Sequence, residues 1–238
     1  MFDFINKKMN YIKSNIIKEY EFHRILKTDI FKEPRSREES IYFGCGCFWG
    51  AEKSFWKLPG VITTSVGYAG GKMKNPSYND VCGGYTGHAE VVKVVWNINL
   101  IDLSDLLKMF WECHDPTQLN RQGNDIGSQY RSAIYYTNKD NINLIMKSRD
   151  AYQAALNDKD YGMITTEIKG IEEYYVAESY HQQYLAIKGS RQYCSAKPTN
   201  ILLEEFEGCE YKLNKTIWKN FDWSQEKCIL RSNNDPLK

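Results

Sequence analysis

Between residues 41 and 187 the hydrophobic period of the chain switches repeatedly between that of a strand and that of a helix, and this alternation limits the available folds most sharply. Residues 41–44, IYFG, read as a short buried strand. Phe48, Ala51, Phe55 and Leu58 then fall at helical spacing until Leu58-Pro59-Gly60 stops the helix. VITTSVGYAGG is expected as a strand running into a glycine-rich loop, and HAEVVKVVWNI as a β-branched strand. Asp102 or Ser104 caps the next helix, whose Leu103, Leu106, Leu107, Phe110 and Trp111 make a core-facing stripe. SAIYYT reads as a strand, NKDNINLIMKSRDAYQAAL as a helix, MITTEI and EEYYVA as short strands, and ESYHQQYLAI as a last helix. Strands interleaved with helices imply an α/β or α+β domain. Residues 114–131 make a loop long enough to suspect function.

At 238 residues the chain suits one domain with appendages. Residues 1–39 read as an N-terminal extension, with an amphipathic helix expected in residues 4–31, and residues 196–238 as an aromatic C-terminal extension expected to pack somewhere and to fray at its end. Hydrophobic residues make up 42% of the sequence, ample for a core. A formal charge of +1 supplies no electrostatic pull toward nucleic acid or an anionic membrane, so neither is expected as a partner. Every apolar run is interrupted before it reaches membrane-spanning length, and the first residues lack the apolar core of a secretory signal, so a cytosolic home is expected. Seven scattered cysteines fit thiols in a reducing compartment better than a disulfide framework.

Gly46-Cys47-Phe48-Trp49-Gly50 sits where a strand turns into a helix. Unpaired amides and the positive end of the helix dipole stabilise an anion there, which predicts a lowered pKa for Cys47 and more thiolate. The flanking glycines permit a tight turn and close approach by a ligand. Further along lie Tyr78, the GHAE of residues 87–90 at a strand entrance, and the GNDIGSQYRS of residues 123–132.

GCFWGAE, GYAGG, TGHAE, FWECHDPTQLNRQGNDIGSQYRSAIYY and YHQQYL resemble, in order and spacing, the successive motifs of the A-type peptide-methionine sulfoxide reductases, over roughly residues 40–195. The resemblance implies a two-layer α/β sandwich with a mixed sheet and a ferredoxin-like core. It also implies reduction of the S epimer of methionine sulfoxide in oxidised proteins and peptides, a repair reaction of oxidative stress. Cys47 is then the nucleophile, and Phe48 and Trp49 form the pocket for the S-methyl group. Glu90 protonates or hydrogen-bonds the sulfoxide oxygen with help from the hydroxyls of Tyr78 and Tyr130, and Asp125 supports the site and the substrate backbone. Thiol attack on sulfoxide sulfur needs an acid at the oxygen, and Glu90 donates only if burial beside aromatic rings keeps it protonated.

After attack Cys47 becomes a sulfenic acid, which condenses with a second thiol. Cys194, after the last family-like helix, is the expected resolver, with Cys209 and Cys228 as alternatives, because the tail departs from the family's glycine-rich pattern. No resident cofactor or metal is expected, thioredoxin or a dithiol serves as external reductant, and the chain is expected to act as a monomer. Cys45, Cys82 and Cys113 read as structural thiols, and a zinc site from Cys45, Cys47, Cys113 and His114 lacks the usual paired spacing. The main rival is a cysteine hydrolase using His88, His114 or His181 as base. A module that binds oxidised methionine without reducing it is the third reading.

Overall fold

The computed structural model describes residues 21–225 and 228–238, so most of the helix expected in residues 4–31 lies outside the described residues; residues 21–31 form turns with a bridge from Phe22 to Asp29. Among the described residues eight strands are formed: β1 (Glu38–Cys45), β2 (Val61–Ala69), β3 (Ala89–Asn97), β4 (Arg121–Gln122), β5 (Asp125–Ile126), β6 (Ser132–Tyr136), β7 (Glu167–Gly170) and β8 (Tyr174–Val176). Six of them make one sheet in the order β7-β6-β1-β3-β2-β8, and β4 and β5 pair separately. Within the described sheet only β6 and β7 run parallel. The described residues also form six helices: α1 (Phe48–Trp56), α2 (Tyr78–Cys82), α3 (Leu103–Glu112), α4 (Ile142–Asn157), α5 (Lys215–Trp218) and α6 (Cys228–Arg231). With α1 between β1 and β2, and α3 between β3 and β6, the central order β6-β1-β3-β2 is the expected ferredoxin-like core inside a mixed α+β sheet.

Strand alternation sets the layers. Ile41, Phe43 and Cys45 of β1 point into the larger core, where Phe43 stacks on Phe55 of α1 at 4.8 Å between ring centroids and on Phe110 of α3 at 5.1 Å. Tyr42, Ala69, Val91 and Tyr135 face the other way, against Ile171 and Tyr174. The stripe predicted for α3 is buried throughout, and Asp102 rather than Ser104 is its cap, its carboxylate accepting from the Ser104 amide.

Two expectations fail. ESYHQQYLAI is not one helix but two short 3-10 turns, Ser179–His181 and Tyr184–Ala186, separated by Gln182 and by Gln183 at φ 49°. Side chains drive the break. Gln182 bonds both backbone groups of Val66 at 2.9 Å, as a neighbouring strand would, while the Gln183 amide and side chain both donate to buried Glu52. The C-terminal residues do not fray either: Lys53 and Lys57 of α1 and the turn after it donate to the carbonyls of Ser232, Asn233 and Asp235, Trp56 donates to Asn234, and the Leu237 amide closes on Lys57. These carbonyls satisfy amines that burial would otherwise leave bare. Leu203, Ile217, Phe221, Trp223 and Ile229 of the extension complete the larger core.

Candidate active site

The β1–α1 turn fixes Cys47. Gly46 takes φ 85°, open to glycine at no steric cost, and a side chain there would run into Gln122. Cys47 is the N-cap of α1 and only 9% exposed. Glu90, near the start of β3 and 2% exposed, reaches the same helix end, where its carboxylate accepts the Phe48 amide at 3.0 Å. Burial pushes the Glu90 carboxyl up to about 8, with a further contribution from Asp125, so it holds its proton at neutral pH, as expected. The expectation for Cys47 is overturned. Burial and then the Glu90 carboxylate raise its pKa well above the ordinary thiol value, outweighing the Trp49 amide that faces the sulfur from the helix end. Both groups therefore rest protonated.

Tyr78, Tyr130 and Asp125 converge on this pair. Tyr130 ends the 3-10 turn Ser128–Tyr130 and Tyr78 begins α2; burial first, and the negative potential of Glu90 among the other causes, hold both phenols far above their ordinary range, so each remains an O–H donor. The Tyr78 backbone is anchored by Glu178, which accepts its amide at 2.8 Å and the Tyr68 hydroxyl at 2.8 Å. Around the thiol, Phe48, Trp49, Tyr78 and His181 form an aromatic wall: the His181 ring lies 5.2 Å from Phe48, 5.8 Å from Trp49 and 4.5 Å from Tyr78, and Tyr184 stacks on Trp49 at 3.8 Å.

The histidines give the hydrolase reading no base. His181 accepts the Trp49 indole N–H at 3.1 Å, and burial lowers its pKa to about 4. His88 is held by the Gly71 amide and the Met73 carbonyl, and His114 by the Phe110 carbonyl and the Ser132 hydroxyl.

Cys194 reaches the site from the far end of the chain. Its sulfur lies against Gly50, one turn into α1, so closely that a side chain at that position would overlap it, and it adds to the potential felt by Cys47. The close approach that Gly50 permits is thus made by Cys194. Both neighbours of Cys194 are tied to Asp125: the Tyr193 hydroxyl donates to its Oδ1 at 2.6 Å and the Ser195 hydroxyl to its Oδ2. Sequence reasoning did not single out Tyr193, Ser195, Glu178 or Glu52, although the first two flank the predicted resolver. Cys209 sits in a different place, in the turn after Phe206, whose amide it accepts at 3.2 Å, and beside Tyr211. Cys82 is exposed and bonded to Tyr78. Cys45, Cys113 and His114 do converge, within 4.8 Å, but without Cys47. Among the described residues no helix is long and apolar enough to cross a membrane.

The model of the family described as peptide methionine sulfoxide reductase matches residues 39–210. The peptide methionine sulfoxide reductase of Salinispora arenicola is 52% identical over 180 residues, 75% of this chain and 82% of that protein, and its counterpart in Vibrio vulnificus is 49% identical over 179 residues, covering 75% and 85%. Among solved structures, methionine sulfoxide reductase A of Corynebacterium diphtheriae superposes with a TM-score of 0.68 at 41% identity over 77% of this chain and 89% of that one. Mxr1 from Saccharomyces cerevisiae in reduced form gives 0.64 at 36%, over 73% and 96%. On the strength of this match, which spans the sheet, both core helices and the buried thiol–carboxyl pair, the chain belongs to the peptide methionine sulfoxide reductase family.

Proposed function

We propose that the protein reduces the S epimer of methionine sulfoxide, in proteins and as the free amino acid, through attack of Cys47 on sulfur. The supporting observation is the proton inventory: a buried carboxyl with a pKa of about 8 shares one helix end with a thiol that also rests protonated. Sulfoxide oxygen leaves only when protonated. Glu90 gives its proton to that oxygen and takes the one released by Cys47, so the step is neutral overall; the Cys47 sulfur bonds to the methionine sulfur as the S–O bond breaks, and the water or hydroxide so released displaces methionine from Cys47, leaving a sulfenic acid. Tyr78 and Tyr130 donate to the oxygen, and Phe48 and Trp49 receive the methyl group. Oxygen donors on one side and an aromatic wall on the other distinguish the two configurations at sulfur.

Cys194 then attacks the Cys47 sulfur, water leaves, and a Cys47–Cys194 disulfide remains. Its seat against Gly50 and the tethering of Tyr193 and Ser195 to Asp125 support Cys194 over Cys209. A dithiol protein of the thioredoxin kind reduces that disulfide, so repair of oxidised proteins needs no resident cofactor. Chiral separation after incubation with racemic N-acetylmethionine sulfoxide and dithiothreitol tests this reading. The S epimer should disappear and the R epimer persist; equal consumption of both, or cleavage of a peptide ester instead, overturns it.

A further inference from the structure

Cys45 and Cys113 have no part in the reaction proposed above, yet they are not isolated packing thiols. Both are buried, Cys45 at the end of β1 and Cys113 just past α3, and their sulfurs lie within 4.8 Å of one another and of a His114 ring nitrogen. Cys45 directs its S–H at the Cys113 sulfur. A small cavity is lined by Cys45, Cys113 and Cys194 together with Gly50. Cys194 therefore borders two thiol groups at once: it acts electrostatically on Cys47 and on Cys45. A metal explains the cluster less well than redox chemistry does. Both His114 nitrogens are already engaged, at 2.7 Å from the Phe110 carbonyl and 2.7 Å from the Ser132 hydroxyl.

We propose that Cys45 and Cys113 form a second dithiol that reduces the Cys47–Cys194 disulfide within the protein, so that one fully reduced chain carries the electrons for two sulfoxides. The inference rests on Cys194 as resolver. Cys113, once it has given its own proton to water, takes that of Cys45, whose sulfur attacks the Cys194 sulfur; the Cys47–Cys194 bond breaks and Cys47 leaves as thiolate, taking its proton from Glu90. Cys113 then attacks Cys45, breaking the Cys45–Cys194 bond, and its proton passes to the departing Cys194 sulfur. Cys45 and Cys113 are oxidised, Cys47 and Cys194 are restored, and the second sulfoxide is reduced as the first was. Its oxygen also leaves as water. Burial draws the Cys45 thiol up, whereas the S–H from Cys45 draws Cys113 down, so Cys113 gives up its proton before Cys45 does.

The test counts methionine. Fully reduced, desalted protein under argon receives excess N-acetylmethionine S-sulfoxide with no external thiol, and released product is measured per chain. Wild type should release about two equivalents and Cys45→Ser about one, whereas Cys113→Ser should stop at a Cys45–Cys194 disulfide. Cys45→Ala and Cys113→Ala should behave likewise, which covers a buried hydroxyl that the fold rejects. Peptide mapping of exhausted wild type, which needs no variant, should find Cys45–Cys113 beside Cys47–Cys194. One equivalent from wild type, or two from both pairs of variants with a bond to Cys209 or Cys228, overturns the proposal. Cys194→Ser separates the two levels: about one equivalent without a Cys45–Cys113 bond supports the chain of exchange, whereas two equivalents sink the resolver assignment. No methionine from wild type sinks the reductase reading itself.

Discussion

Replacing Glu90 by Gln should make the protein more stable in alkali while weakening it as a reductase. The Gln side chain keeps an oxygen for the Phe48 amide, which now donates at 3.0 Å to a Glu90 carboxyl oxygen, and retains a donor where the protonated carboxyl has one, so nothing should be lost at pH 5. The carboxyl, by contrast, must ionise as pH rises. Because burial lifts its pKa from 4.5 to about 8, the folded state holds this proton more tightly than the unfolded chain does: the contribution is whole below about 4.5 and is lost as pH climbs through about 8. At ~1.4 kcal/mol per pH unit, the full loss is about 5 kcal/mol, an upper figure because the site can relax. Urea unfolding of wild type and Glu90→Gln from pH 5 to 9 should give curves that meet at the acid end and diverge to several kcal/mol at the alkaline end. Single-turnover reduction by wild type should fall above pH about 8, and this limb should be absent from the slower Gln variant. Parallel stability curves would refute the assignment of a raised pKa to Glu90, and with it the acid role.

Other perturbations test other parts of the site. Cys47→Ser should lose essentially all sulfoxide reduction with an unchanged circular dichroism spectrum and melting temperature. Gly50→Ala places a methyl group on the Cys194 sulfur. It should leave the first methionine burst nearly intact but slow disulfide formation, read by timed acid quench and mapping, at a stability cost of about 1–3 kcal/mol. Trp223→Ala removes a buried ring that stacks on Phe221 and donates to Glu112, and should lower stability by about 3–5 kcal/mol in urea titration. A near-neutral result would mean that the C-terminal extension is not part of the core.

Local rules determined much of this protein. The 2- and 3.6-residue periods and the β-branched runs located the four central strands and α1, α3 and α4, because the spacing and residue type within each segment reveal its type without a distant partner. The strand-to-helix turn likewise put Cys47 at a helix start, while the expectation of a protonated Glu90 rests on the resemblance to the reductase family, whose chemistry needs an acid at the sulfoxide oxygen. Tertiary structure decided what depends on residues far apart in sequence. The thiolate expected at Cys47 gave way because burial and Glu90, which lies 43 residues onward, outweigh the amides of its own helix. The helix expected in ESYHQQYLAI broke on side-chain bonds to Val66 and Glu52, which no local propensity encodes. Convergence of Cys194 on Gly50, its neighbours on Asp125, and Cys45 on Cys113 could only appear after folding, since a hydrogen bond or a thiol contact is set by distance in space and sequence spacing measures only distance along the chain.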